Sequence, residues 1–236
     1  MKFYNGFGIT PTKNFTAAGW DFYVPNIDEL PEEKINKFLS EDGIQKSYNI
    51  SKEQIDNLLL EIDNYKNKED SEISKLIANN KYNILHLFLA LNSNTPISNR
   101  NISKFIYEYG MFDKNGHFGI SMHLNDTIFI NSGIKEALDK NTAGIFFNKS
   151  GKGNKGFDVR ACVVDEDYSG YVHLSLAYTL SSNNGIIYAG DKLIQQCILY
   201  IVDTSDTSEV SEDEYIELMK NSKRGSKAFG SSDIKH

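Results

Sequence analysis

The chain has 236 residues, 40% of them apolar, and a net charge of −7 from 25 Lys and Arg against 32 Asp and Glu. That length can bury a core without disulfide staples, and no run of about 18 apolar residues is present to cross a bilayer as a helix. The acidic balance argues against generic binding of nucleic acid or anionic lipid. Met1 to Thr10 lacks the basic-then-apolar pattern of a secretory signal, so a cytoplasmic protein is expected. Cys162 and Cys197 lie in apolar runs and read as two reduced core thiols. His86, His117, His123, His173 and His236 show no zinc-ligand spacing.

Phe22 to Val24 reads as a short strand. From Asn26 to Asn115 the period is helical. Apolar residues recur three or four apart at Ile35, Phe38, Leu39; Ile55, Leu58, Leu59, Ile62; Ile73, Leu76, Ile77; Ile84, Leu85, Phe88, Leu89; and Ile102, Phe105, Ile106, Tyr109. Ser51 with Gln54 forms a capping-box pattern, Ser98 precedes the last helix, and Gly110 follows as its stop. A small bundle is expected. Residues 26–117 carry 11 Lys and Arg against 15 Asp and Glu, which argues against DNA binding.

From His117 the period becomes strand-like. Runs at 118–124, 127–131, 144–147, 157–164 and 171–180 are short and β-rich. Leu193 to Val202 is nearly all apolar, as a strand buried on both faces would be. Lys114-Asn115-Gly116 and Ser182-Asn183-Asn184-Gly185 are turn signals. Many short strands between turns imply a barrel or sandwich. Ser211 with Glu214 is a second capping-box pattern, opening a helix to about Asn221.

Three segments carry the ingredients of chemistry. The tail from Lys223 to Ser232 holds Arg224, one of only three arginines, with Phe229 among glycines and serines. It is either a phosphate-gripping arm or a plain mobile end. The glycine-rich Asn148 to Gly156 offers cations, a hydroxyl and free N–H groups; it reads as a phosphate cradle or a long solvated hairpin loop, without the spacing of a Walker loop. The acidic turn Val164 to Gly170 could supply a general base and a ring to pack on a sugar, or serve solubility.

In order along the chain, these segments resemble the five motifs of the trimeric, all-β dUTPase family. Ala18-Gly19-Trp20-Asp21-Phe22 is similar to the first motif. Asn148-Lys149-Ser150-Gly151 is similar to the second, and Val164-Asp165-Glu166-Asp167-Tyr168-Ser169-Gly170 to the third. Gly190-Asp191-Lys192-Leu193-Ile194-Gln195 resembles the fourth, and Arg224 to Ser232 the fifth, in the style of phage-encoded members.

The resemblance implies a mainly β fold: a distorted jelly-roll or β-barrel core from residues 1–25 and 117–207. An α-helical subdomain is inserted at 26–116, and a helix and closing arm at 208–236. It implies a homotrimer, placed in the host cytoplasm if phage-encoded, that hydrolyses dUTP to dUMP and pyrophosphate. Asp165 would be the general base for the attacking water. Lys149, Ser150, Gly151 and Gln195 would contact phosphates, with Val164 beside the substrate and Tyr168 under the deoxyribose. Arg224, Gly230 and Ser231 would clamp the terminal phosphate and Phe229 would cover the base. Asp21 would approach a Mg²⁺ chelated mainly by the triphosphate.

The chain departs from the pattern at Lys149, where an arginine is usual, and at Ser169 and Tyr171. It departs also in a shortened segment between Ser150 and Asp165, which bears on base recognition. That shortening keeps a second reading open, a related pyrimidine deoxynucleotide hydrolase or a dCTP deaminase-like enzyme. The segment 26–116 keeps a third open, a nucleotide-sensing regulator with a protein partner docked on the helices. Otherwise the helices are decorative or support the trimer.

Overall fold

The protein, a computed structural model that describes residues 1–67, 70–91, 96, 99–181, 185–202 and 208–221, follows the change of period. The helices are α1 (Glu32–Leu39), α2 (Lys46–Tyr48), α3 (Lys52–Lys66), α4 (Ser71–Ala78), α5 (Lys81–Ala90), α6 (Ile102–Tyr109), the single turn α7 (Ser150–Gly153) and α8 (Glu212–Met219). None of them is long and apolar enough to cross a membrane. Ser51 opens α3 with a closed capping box: its hydroxyl accepts from the Gln54 N–H at 3.2 Å, and Gln54 Oε1 accepts from the Ser51 N–H at 2.9 Å. Helix α6 starts later than expected, capped by Asn101, whose side chain accepts from the Lys104 N–H at 2.7 Å; Ser98 lies outside the described residues. Gly110 ends it in an extended conformation and passes directly into a strand.

The strands are β1 (Lys2–Asn5), β2 (Trp20–Tyr23), β3 (Gly110–Phe112), β4 (Phe118–Met122), β5 (Thr127–Asn131), β6 (Ile134–Ala137), β7 (Thr142–Asn148), β8 (Phe157–Ala161), β9 (Val163–Val164), β10 (His173–Tyr178), β11 (Gly185–Tyr188) and β12 (Lys192–Tyr200). They form four antiparallel sheets, in the orders β1-β6, β5-β10-β8, β11-β4-β3 and β2-β12-β7-β9. A mainly β core with a helical region is the result.

The helical segment and the strands share one apolar cluster, inside one compact unit from Met1 to Ile201. Residues from Val202 onward form a second unit, which contains α8. Helix α5 is the bridge within the first unit. It is buried all round from Asn83 to Ala90, apolar there except for Asn83 and His86, and it packs against β4 and β5. Its N-terminus is capped from a distance: the Asp28 carboxylate accepts from the Tyr82 and Asn83 N–H groups at 3.0 and 2.7 Å. Burial pushes that carboxyl up to about 6, against the pull of these hydrogen bonds.

Asn131 of β5 is the polar counterpart of α5. It is fully buried, and its amide donates to Ser47 Oγ at 2.7 Å and to the Gly43 carbonyl at 3.3 Å. Its Oδ1 accepts from the Gly133 N–H at 2.9 Å, and its own N–H donates to the Tyr48 hydroxyl at 3.0 Å. Gly133 has φ +69, and a Cβ there would stand 2.4 Å from the Gly8 nitrogen, so only glycine fits.

Two expectations need correction. Strand β12 is buried only over Leu193 to Gln196 and in part beyond. Leu199 and Ile201 are half exposed and Tyr200 is exposed, because the end of the strand runs past the core of the first unit. Cys162 is exposed rather than a core thiol, and Cys197 is half-buried; both flank β7 on the same sheet, Cys162 through its carbonyl, which accepts from the Phe146 N–H at 2.7 Å.

Replacing Asn131 with Ala leaves the buried Gly133 N–H without its acceptor, while the Gly43 carbonyl keeps the Ser47 hydroxyl as donor. A loss of about 2–3 kcal/mol of stability is expected, read as a lower urea midpoint at unchanged m-value.

Candidate active site

Strand pairing decides which side chains meet. In β2-β12-β7-β9, Asp21 stands opposite Gln195, and Gln195 opposite Phe147. Directly paired residues lie on one face of a sheet, so these three share the outer face. Lys149 leaves the end of β7 and donates from Nζ to Asp21 Oδ1 at 2.5 Å; Lys192 Nζ lies 3.2 Å from Asp21 Oδ2. Burial alone would raise the Asp21 carboxyl, but the two lysines outweigh it and hold the group below its ordinary value. Asp21 in turn holds the Lys192 ammonium above its own. Two cations on one carboxylate leave a net positive charge beside Gln195, which suits phosphate oxygens.

Ser150 and Gly151 follow Lys149 as the start of α7, where the sequence allowed a long hairpin loop. Both are exposed, and nothing stands within 4 Å of where a Gly151 Cβ would be. Lys152 anchors the turn, donating to Asp191 Oδ2 at 2.7 Å and to the Ile186 carbonyl at 3.1 Å. Asp191 Oδ2 also accepts from the Tyr188 N–H at 3.1 Å. The first residues of the turn therefore project outward from a fixed base.

Val164, Asp165 and Tyr168 lie at the other end of the sheet. Gly144 of β7 pairs with Val164, and Asp165 follows it. The Tyr168 N–H closes a turn on the Asp165 carbonyl at 3.1 Å, and the Tyr168 hydroxyl donates to the Tyr171 carbonyl at 2.8 Å. Burial raises the Tyr168 phenol. Asp165 is exposed at the mouth of a cavity of about 210 Å³, lined also by Tyr168, Phe146, Phe129, Val172 and His173. His173 stacks on Phe129, with centroids 4.3 Å apart and planes 5° apart. Burial pulls its imidazole down to about 4, with a smaller opposing hydrogen bond to the Tyr171 backbone.

The structure thus brings Asp21, Lys149 and Gln195 together, with Ser150 and Gly151 next to them, and separately brings Val164, Asp165 and Tyr168 together. It does not join the two groups within one chain. From Ala143 to Lys149 is six steps along β7, roughly 20 Å at the strand rise. The outer face between them carries Ile145, Cys197, Val163 and Leu199; Val163 is 60% and Leu199 49% exposed, and Phe147 beside Gln195 is 45% exposed. Arg224, Phe229, Gly230 and Ser231 lie outside the described residues.

Mg²⁺ takes oxygen ligands in a near-octahedral shell and is commonly held through one or two carboxylates together with substrate phosphates. The described residues contain no group of three carboxylates, histidines or cysteines able to hold a metal. Both oxygens of Asp21 already face ammonium groups. A magnesium cage built from the described residues does not fit this site.

Sequence reasoning gave no role to Lys192, Lys152, Phe129 or His173. Lys192 stood within the fourth motif, so its charge was a usable signal. The other three become neighbours of the site only through strand pairing and packing.

Residues 118–233 match the dUTPase family. No curated protein matches the chain. Among solved structures, the dUTPase of EIAV is 22% identical, with a TM-score of 0.35 over 44% of this chain and 89% of its own. A dUTPase of Staphylococcus bacteriophage 80alpha with dUpNHpp is 19% identical, with a TM-score of 0.40 over 53% and 85%.

The Asp21 carboxyl is expected to titrate below about 3.9, the value of a free aspartate. Its pairing then contributes stability at pH above the unfolded value and loses it as pH falls through the lower folded one. Carboxyl ¹³C NMR across pH 2 to 6 reads the midpoint; Lys149→Ala should move it upward.

Proposed function

We propose that the chain, which matches the dUTPase family over residues 118–233, is a dUTP diphosphatase that works through a site completed between copies in a homotrimer. The observation that carries this is the division of the site residues between the two ends of β7, across an outer face on which Val163, Leu199 and Phe147 are exposed among the described residues. The phosphate end of one copy then faces the Asp165 end of its neighbour.

In this reading Lys149, Ser150, Gly151 and Gln195 hold the triphosphate, with Lys192 adding charge and Asp21 keeping both lysines in place. Asp165 orients a water in line with the α-phosphorus and takes its proton as the new P–O bond forms. The bond from the α-phosphorus to its bridging oxygen breaks, and pyrophosphate leaves with the electron pair. Tyr168 packs on the deoxyribose, its hydroxyl tied to Tyr171 so that the ring is fixed, and Val164 lines the same cavity. Arg224, Phe229, Gly230 and Ser231 are assigned to the terminal phosphate and base by resemblance alone. A Mg²⁺ held by the triphosphate, with Asp21 as its nearby carboxylate, would supply charge neutralisation on the leaving group. Positioning and charge neutralisation supply most of the rate. A cytoplasmic location, and a protein partner for the helical segment, stand as further proposals on the resemblance.

Purified protein with dUTP and Mg²⁺ should release pyrophosphate and dUMP, and chelation by EDTA should abolish it. Asp165→Asn should lower kcat by about 10²–10⁴-fold, with Lys149→Ala also severely impaired. Mixing these two inactive variants under subunit exchange should restore activity, since hybrids contain sites with both native halves. Two variants that stay inactive after proven exchange would rule out a shared site; no pyrophosphate from the native protein would rule out the hydrolysis.

A further inference from the structure

Lys152 and Asp191 form an ion pair to which the proposed chemistry gives no part. The Lys152 side chain is only 15% exposed, so its charge is committed inward. Nζ donates to Asp191 Oδ2 at 2.7 Å and to the Ile186 carbonyl at 3.1 Å, and lies 5.6 Å from the centre of the Phe157 ring. Each partner holds a different part of the phosphate end. Lys152 belongs to α7, where its N–H and that of Gly153 donate to the Lys149 carbonyl at 2.9 and 2.8 Å. Ser150 and Gly151 ride on that turn. Asp191 stands between β11 and β12. Its Oδ2 also accepts from the Tyr188 N–H, and its carbonyl accepts from the Val24 N–H, just past β2, at 2.9 Å. Strand β12, with Lys192 and Gln195, starts at the next residue, and β2 carries Asp21. One ion pair therefore ties the turn bearing Ser150 and Gly151 to the strands bearing Asp21, Lys192 and Gln195. A largely buried pair adds little net stability, because desolvation offsets the attraction; its better-attested use is to fix one arrangement among several.

We propose that Lys152 and Asp191 are positioning residues for the triphosphate: their pair holds the Ser150–Gly151 turn at the distance from Gln195 at which both meet one phosphate chain. The inference deepens the proposed dUTP hydrolysis and rests on it. It places neither side chain on the substrate. A purely electrostatic role makes the opposite forecast for Asp191. That carboxylate is a negative charge at the end that receives an anion, so by charge alone its removal strengthens binding. Positioning requires that binding weaken although a negative charge has gone.

The test measures binding of non-hydrolysable α,β-imido-dUTP with Mg²⁺, and of deoxyuridine, by calorimetry. The proteins compared are the native chain, Asp191→Asn, Lys152→Met and the double variant, with melting temperatures as the check on folding. Asp191→Asn keeps an oxygen to accept from the Tyr188 N–H. The dissociation constant of the imido analogue should rise roughly tenfold or more in each variant. That of deoxyuridine, which has no phosphates, should stay unchanged. KM for dUTP should rise in parallel with kcat largely kept, and Lys152→Arg should regain part of the loss. The double variant buries no unpaired charge, so it should melt near the native temperature yet bind the analogue no better than the single variants. Folded Asp191→Asn that binds the analogue as tightly as the native protein, or more tightly, would overturn the inference. So would an equal loss for the analogue and deoxyuridine, the mark of general loosening. Native protein that binds the analogue but releases no pyrophosphate from dUTP would overturn the hydrolysis instead, and the binding comparison would still decide the role of the pair.

Discussion

Strand β7 imposes the constraint on which the rest depends. It hydrogen-bonds along its length to β12 and near its start to β9. Backbone pairing of this kind fixes register, and register fixes which side chains share a face. Lys149 is therefore committed to one end of the strand and Asp165 to the other. No side-chain rearrangement within the chain closes a gap of roughly 20 Å. The proposed sharing of the site between copies answers that separation, and the exposed apolar residues between the two ends, Val163, Leu199 and Phe147, are the kind of surface through which copies associate.

Charge is arranged on the same economical plan. The protein is acidic overall, yet at the phosphate end a single carboxylate organises two ammonium groups. Asp21 limits the mutual repulsion of Lys149 and Lys192 while leaving their sum positive. Lys149 lacks the two-pronged geometry of an arginine, and the second lysine compensates with charge rather than with shape.

Legibility in the sequence followed locality. The capping box at Ser51 and Gln54 involves neighbours three residues apart and was readable in full. Strand β5 was read with its observed bounds because its β-rich run is bounded by polar residues. Strands β1, β3, β6 and β11 were not named, being three or four residues long and defined chiefly by their partners. Asn131 looks like an ordinary polar strand residue, and its partners Gly43 and Ser47 stand 88 and 84 residues away. The motif resemblance supplied Asp21, Lys149, Asp165, Tyr168 and Gln195 as a set. It could not supply which of them meet in one chain, since that depends on pairing. His173 carried no local signal, since its stack on Phe129 arises only from the pairing of β10 with β5.

The burial of α5 bears on how this protein could have been assembled from simpler parts. A decoration spliced into a finished scaffold can be cut out again, leaving a smaller version that still stands. Here the added stretch contributes Ile84 to Ala90 to the same interior as β4 and β5, so excising it would uncover the scaffold's own oily underside. Any shortened variant lacking these helices would therefore have to be repacked along β4 and β5 before it could stay in solution.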